Sequence, residues 1–216
     1  MKPTIAVLLG DASGIGPEMA VKLLARTPNR EAAQLLLIAD PLALEGGERI
    51  AGQRLDPLRV DSLDALRFEP GRVSLLAQDT LQGRTPTLGE SNAHSGRAAF
   101  EALQLACEAV RRKKVGGIVF APFNKHSLRL GGLTQEDELR HMQEQLDVRG
   151  FVCEFNITGQ LWTSRVTSHV PLKEVASLIT GPAIHDAVRI IHDALRSAGV
   201  AKPRNASARQ VVGLGT

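Results

Sequence analysis

Short apolar runs alternate with longer amphipathic segments along the chain, and the alternation predicts strands that lead into helices. Thr4–Leu9 (TIAVLL) is a continuous, partly β-branched run closed by Gly10, the pattern of a buried parallel strand. Pro17 then stands at a first helical position, followed by Glu18 and the apolar set Met19, Val21, Leu23 and Leu24. Gln34–Ala39 (QLLLIA) predicts a second strand, stopped by Asp40-Pro41, and Val73–Ala77 (VSLLA) a further one. From Ser95 to Lys113, Ala99, Leu103, Ala106 and Val110 fall on one helical face, and Arg111–Lys114 put positive charge at the C-terminal end, where the helix dipole favours it. Val115–Ala121 (VGGIVFA) reads as the next strand, closed by Pro122. Thr134 is expected to cap a helix running to Leu146, and Arg165–Ser168 to form a short strand before His169. Pro182–Ala198 predicts a helix with Ile184, Val188, Ile191 and Leu195 on one side. Residues 42–72 carry scattered Gly, Pro and charge and yield no assignment. This β-α alternation argues for an α/β fold with a mostly parallel sheet.

Composition narrows the function classes. With 216 residues, 43% hydrophobic and 23% charged, the chain is globular rather than disordered. The 26 Lys and Arg against 23 Asp and Glu leave a net charge of +3 spread along the sequence, which is no nucleic-acid footprint. Aromatics at 3%, with no Tyr, argue against stacking platforms for single strands. Cys107 and Cys153 stand far apart, outside any CxxC arrangement, which fits a reducing cytoplasm rather than a disulfide scaffold. Asp11 interrupts the first apolar run too early for a signal-peptide core, and no run approaches the ~20 residues that span a bilayer. A cytoplasmic protein without nucleic-acid or membrane partners is expected.

Candidate chemistry concentrates at two strand ends. Gly10-Asp11-Ala12-Ser13-Gly14-Ile15-Gly16-Pro17-Glu18 follows a strand and opens a helix, so Gly10, Gly14 and Gly16 could bring backbone N–H groups to an anion, with Asp11 and Glu18 beside them. The spacing is neither GxGxxG nor a P-loop, and a tight strand-to-helix turn accounts for the same glycines. Ala121-Pro122-Phe123-Asn124-Lys125 delivers Asn124 and Lys125 to another strand's C-terminal end. There a lysine could bind phosphate or hold a developing alkoxide, although an exposed loop lysine is the commoner case. His169, in Ser168-His169-Val170-Pro171-Leu172, is a lone histidine, and such residues are more often structural than metal-ligating. Glu136, Asp137 and Glu138 could give a site carboxylate or simply an acidic first helical turn. There is no GxSxG elbow, so covalent hydrolysis has little support.

GDASGIGPE, APFNK and SHVPL, in this order, resemble the 4-hydroxythreonine-4-phosphate dehydrogenases of vitamin B6 biosynthesis over residues 4–204. The resemblance implies an isocitrate/isopropylmalate dehydrogenase-like layered fold. It also implies a homodimer that uses NAD (or NADP) and a divalent metal (Zn, Mg, Mn or Co) to oxidise a small phosphorylated hydroxy acid. Carried over by position, it makes His169 a metal ligand and the loop from Gly10 to Glu18 a border of the active cleft, and it matches Asn124 and Lys125 to the family's Asn-Lys after the central strand. Lys125 or Asp11 would accept the proton as hydride leaves for NAD. Where the family carries Gly-His-Thr-Glu, this chain reads Gln135-Glu136-Asp137-Glu138, so Glu136 and Asp137 take the substrate-contacting places. Two carboxylates beside a phosphorylated acid repel it unless a cation intervenes, which points to a divergent branch acting on 4-phosphorylated threonate or erythronate.

The family's sequences also continue past the point reached here with an apolar strand, further metal histidines and the main NAD-binding region. Residues 205–216 (NASARQVVGLGT) read instead as an atypical tail, which predicts a truncation or frameshift near residue 205. The expectations are therefore a dehydrogenase with little activity as this polypeptide alone, a folded remnant without turnover, or a phosphate-binding module built on the glycine loop and Lys125.

Overall fold

Residues 2–168 and 170–204 are described by a computed structural model and fall into two compact units, one ending at Val148 and one beginning at Arg149. Along the first unit the elements are β1 (Thr4–Leu8), α1 (Gly16–Ala25), α2 (Thr27–Ala32), β2 (Gln34–Ala39), α3 (Pro41–Ala51), β3 (Leu58–Val60), β4 (Ser74–Ala77), α4 (Ala93–Arg111), β5 (Gly117–Phe120), α5 (Lys125–Leu130) and α6 (Glu138–Gln145). The strands form one sheet in the order β3-β4-β2-β1-β5, and every pairing is parallel. The register sets Ala6 opposite both Leu36 and Ile118.

Strand side chains alternate between faces, so the sheet builds two cores. On one face Val7, Leu37 and Leu75 pack with Val21 and Leu24 of α1 and Ala43 and Leu44 of α3. On the other, Ala6, Leu8, Leu36, Ile38 and Leu76 meet Leu103, Ala106 and Cys107 of α4. The alanines along the inner face of α4 let this long helix lie close to the strands. At its start, α4 approaches α5 so closely that a Cβ on Gly96 would collide with the Ser127 carbonyl, and one on Gly131 with the Gly96 backbone.

Several expectations are revised. Helix α1 buries Gly16, Pro17, Ala20, Val21 and Leu24, so Val21 and Leu24 of the expected apolar set lie inside while Met19 and Leu23 are exposed. Thr134 caps nothing; α6 starts four residues later, with the Asp137 carboxylate accepting the Arg140 amide at 2.9 Å. Helix α4 starts at Ala93, ahead of Ser95, because the Asn92 side chain accepts the Ser95 amide at 2.9 Å. The unassigned 42–72 stretch holds most of α3 and all of β3. Helix α3 is capped by Asp40, whose second oxygen accepts the Leu81 amide at 2.8 Å.

In the second unit, β6 (Asn156–Thr158) and β7 (Leu161–Thr163) form an antiparallel hairpin, turning through Gly159 at φ 58°. Phe155 and Trp162 lie ring to ring at 5.9 Å beside it. The described residues 165–168 contain no strand; the pairing residues lie upstream, in the hairpin. Helices α7 (Leu172–Leu178) and α8 (Gly181–Ser197) follow. On α8 only Ala187 is buried, while Ile184 and Val188 remain over a third exposed. Residues 205–216, read as an atypical tail, lie outside the described residues.

Candidate functional site

Strand order fixes where the chain can hold a ligand. From β1 the chain moves to β2 on one side; after β4 it crosses to β5 on the other, so the winding reverses between β1 and β5. The crevice beyond the C-terminal ends of two such strands is the usual ligand position in open α/β sheets. The glycine loop follows β1 and Ala121–Asn124 follows β5, so the structure brings both candidate segments to this crevice. They are zipped together, with the Asp11 amide donating to the Pro122 carbonyl at 3.0 Å. Gly10 makes the approach possible. Its φ is +71°, and a Cβ there would lie 2.5 Å from both the Ala121 and Pro122 carbonyl oxygens. Gly16 packs as tightly on the Leu9 carbonyl, whereas Gly14 is exposed and a Cβ there would make ordinary contact with Asp11, 3.4 Å from its carbonyl oxygen. Two of the three glycines thus serve the chain's own packing, and Gly14 is the one where a Cβ would fit without a clash.

Beneath the loops runs a polar network that was not read from the sequence. The Ser13 and Ser95 hydroxyls lie 2.6 Å apart, and Asn92 Nδ2 donates to Ser13 Oγ at 3.1 Å. The Asn92 amide donates to Ser127 Oγ at 3.2 Å. Asn124 Oδ1 accepts the Ser127 amide at 2.9 Å, and its Nδ2 donates to Ser91 Oγ at 2.9 Å. Three loops are tied into one unit, with Ser13, Ser95 and Ser127 all buried. The available signal is local: Asn92 and Asn124 each precede by three residues a serine whose amide they cap.

These bonds define what each expected site residue can do. Asp11 is buried, and its Oδ1 accepts the Ser13 amide at 2.9 Å, closing the turn. Asn124 spends both ends of its amide on protein partners, and the Asp137 carboxylate caps α6. Glu18 is half-buried and ion-paired with Lys22. Lys125 is exposed at the first position of α5, set by the Asn124 cap. Glu136 is exposed as well, and its carbonyl accepts from Arg129 at 3.5 Å. His169 lies outside the described residues. Among the described residues no group of three His, Cys, Asp or Glu side chains could hold a metal ion. None of their helices is long and apolar enough to cross a membrane.

A cleft of about 940 Å³ opens beside the glycine loop, lined by Gly14, Ile15, Arg49, Ile50 and Leu88 among others. Ile15 and Leu88 are more than half exposed, giving it an apolar wall. Away from the cleft, His141 of α6 is 2% exposed and packs at 4.8 Å against Phe100 of α4. Gln135 donates through Nε2 to Glu144 at 2.6 Å, so its Oε1 faces His141 Nδ1 at 3.1 Å. The histidine therefore carries its proton on Nδ1, and its buried Nε2 has no partner. Burial pushes its pKa down, against a smaller upward pull from Glu144.

A parallel sheet covered by helices on both faces, with a glycine turn and a lysine at the point of reversed winding, defines an α/β protein of the doubly wound class. Residues 31–214 match the family described as Pyridoxal phosphate biosynthetic protein PdxA, and the chain belongs to that family. A Pseudomonas aeruginosa protein provisionally named 4-hydroxythreonine-4-phosphate dehydrogenase 2 is 43% identical over 202 residues, covering 94% of this chain and 60% of its own length. The D-threonate 4-phosphate dehydrogenase of Cupriavidus necator is 30% identical, with 94% and 60% covered. Among solved structures, a 4-hydroxythreonine-4-phosphate dehydrogenase from Burkholderia phymatum superposes with a TM-score of 0.79 at 26% identity, covering 94% of this chain and 61% of that one. The chain thus spans about three fifths of the length of the relatives it matches.

Proposed function

We propose that the chain forms one wall of the active cleft of an NAD(P)-dependent dehydrogenase acting on a 4-phosphorylated hydroxy acid, within a homodimer in the cytoplasm. The observation that carries this reading is the meeting of the glycine loop and the Asn124-Lys125 segment at one crevice, in a chain of this family. Lys125 is assigned to the anionic end of the substrate or to the carbinol oxygen, because it is exposed at a strand end and fixed by a capped helix start. Asp11 is assigned to shaping the loop rather than to proton transfer, since its carboxylate is buried and accepts the Ser13 amide.

The dinucleotide is assigned to the neighbouring cleft, whose volume suits a cofactor and whose Ile15 and Leu88 offer a flat base an apolar wall, with Arg49 for phosphate. Bound there, NAD supplies the acceptor for hydride. Among the described residues no three His, Cys, Asp or Glu side chains come together to hold a metal.

Between the substrates named in the relatives, the threonate branch is preferred because Gln135-Glu136-Asp137-Glu138 departs from the family's Gly-His-Thr-Glu, not because Glu136 attracts it: its carboxylate repels either anion. Calorimetric titration of the 216-residue chain with 4-phospho-D-threonate and with 4-hydroxythreonine-4-phosphate tests the reading. Saturable binding that weakens at least ~10-fold in Lys125→Ala is expected, with the threonate preferred. Binding unchanged by Lys125→Ala, or no binding at all, rules the assignment out. NADH formation by the chain alone is expected to be absent.

A further inference from the structure

The turn after α5 brings the acidic segment back alongside that helix. Gly131 donates to the Ser127 carbonyl at 2.8 Å and Leu133 to the Leu128 carbonyl at 2.9 Å, with Gly132 at φ +120° between them. Beyond the turn the chain is held on both sides of Glu136. Leu133 is buried with Ala99 and Leu128, and Gln135 is bonded to Glu144 and His141. Asp137 caps α6. The Glu136 backbone is therefore a fixed feature, and Arg129 reaches its carbonyl through Nη2 at 3.5 Å.

Arg129 stands one helical turn after Lys125. Residues four apart share a helix face, with about 5–6 Å between their Cβ atoms. Both side chains are exposed, and among the described residues no carboxylate is ion-paired with either. Three other helices pair a cation with an acid three or four residues away: Lys22 with Glu18, Arg112 with Glu108 and Arg189 with Asp186. Helix α5, KHSLRL, contains no acid at all, so its two cations stay open to an outside anion.

The two cations also differ in what they recognise. An ammonium is a point charge that suits a phosphate, whereas the guanidinium is a planar fork that grips a carboxylate with two parallel bonds. One N–H of Arg129 aims at the Glu136 carbonyl, which orients the plane and leaves the remaining donors free. A side chain steadied before the ligand arrives loses less freedom on binding.

We propose that Arg129 selects for acids: it holds the carboxylate of the phosphorylated hydroxy acid while Lys125, one turn away, holds the phosphorylated end. The inference rests on the assignment of Lys125 to the substrate. It adds the cation that offsets the repulsion from the Glu136 carboxylate.

Calorimetric titration separates the two ends. The probes are 4-phospho-D-threonate and the matching threitol phosphate, in which a hydroxymethyl group replaces the carboxylate. In Arg129→Ala, threonate binding is expected to weaken at least ~10-fold while threitol phosphate binding stays within about 2-fold, because only one end loses its charge-assisted bonds. Arg129→Lys keeps the charge without the fork and should recover part of the loss for the acid. Lys125→Ala should weaken both ligands. A merely structural role for Arg129, or general attraction of anions, would lower both ligands alike in Arg129→Ala and overturns the proposal. An affinity for the threonate that Arg129→Ala leaves unchanged overturns it too. If that affinity still falls in Lys125→Ala, the reading of the site stands and Arg129 alone drops out of it. A parent chain that binds neither ligand overturns both. Circular dichroism and urea midpoints matching the parent's are expected for each variant, since both positions are exposed.

Discussion

The Asp11 amide donates to the Pro122 carbonyl at 3.0 Å, joining the turn after β1 to the turn after β5. That one bond sets the spacing of the two segments most suited to hold a ligand. It exists because Gly10 has no Cβ to keep the carbonyls of Ala121 and Pro122 away.

Gly10→Ala should therefore be severe. The substitution meets both a left-handed φ and two carbonyl oxygens at 2.5 Å, and a loss of about 3 kcal/mol or more is expected. Gly14→Ala is the control: its nearest neighbour would be the Asp11 carbonyl at 3.4 Å, and it should cost less than ~1 kcal/mol. Urea midpoints compare the two; similar midpoints would show that the loops tolerate separation.

Asn92 is the hub of the buried network, capping α4 while reaching Ser13 through Nδ2 and Ser127 through its amide. Asn92→Ala removes a cap and the Nδ2 bond to Ser13, whose hydroxyl keeps only Ser95, for an expected loss of about 2 kcal/mol. Asn92→Asp retains the capping oxygen and forfeits the donor, so roughly 1 kcal/mol is expected. An alanine variant no worse than the aspartate would deny the network its role.

How far the sequence revealed this arrangement depends on how local each signal was. Strand β2 has the predicted bounds because QLLLIA ends abruptly at Asp-Pro. Helix α3 was unreadable: Gly46 and Gly47 interrupt its pattern. Gly47 is there for tertiary reasons, since a Cβ would sit 2.6 Å from the Pro17 carbonyl. Thr134 and Asp137 are both good caps, and only the fold selects the second. Of the candidate site, the two punctuated turns were legible, as each is a few residues of Gly, Pro and Asn. The network beneath was not, because Ser13 finds its partners 79 and 82 residues away. Asn124 and Asp137 were legible as polar residues in the right region, but their side chains serve helix starts.

His141 gives the stability a pH dependence of definite sign. Burial lowers its pKa in the folded chain, so the unfolded chain binds the extra proton more readily. Above the unfolded value of about 6.5 the residue is neutral in both states and imposes no penalty. As pH falls below it, stability is lost progressively until the depressed folded pKa is passed. His141→Leu, which removes both the titration and the unpaired Nε2, should keep neutral-pH stability within about 1 kcal/mol and flatten the loss that sets in as pH falls below about 6.5. Denaturation midpoints at several pH values check this, and an unchanged slope would assign the loss to other groups.

The neighbouring acidic pair should separate cleanly. Asp137→Ala removes the cap of α6 and is expected to cost about 1 kcal/mol, while Glu136→Gln at an exposed position should stay within about 0.5 kcal/mol. If Glu136 faces the substrate, Glu136→Gln tightens binding of a phosphorylated acid several-fold in calorimetry. An unaltered affinity would move that residue away from the ligand.

The contact between Gly96 and Gly131 reaches further than its position suggests. α5 is six residues long, and with its last turn pressed into α4 it can neither slide nor tilt without breaking that seam. Lys125 rides on the opposite end. A methyl group at either glycine would lever the helix outward and swing the ammonium off the crevice, so the aim of a surface cation is governed by two hydrogen-sized side chains, one packed on the first turn of its helix and one just past the last.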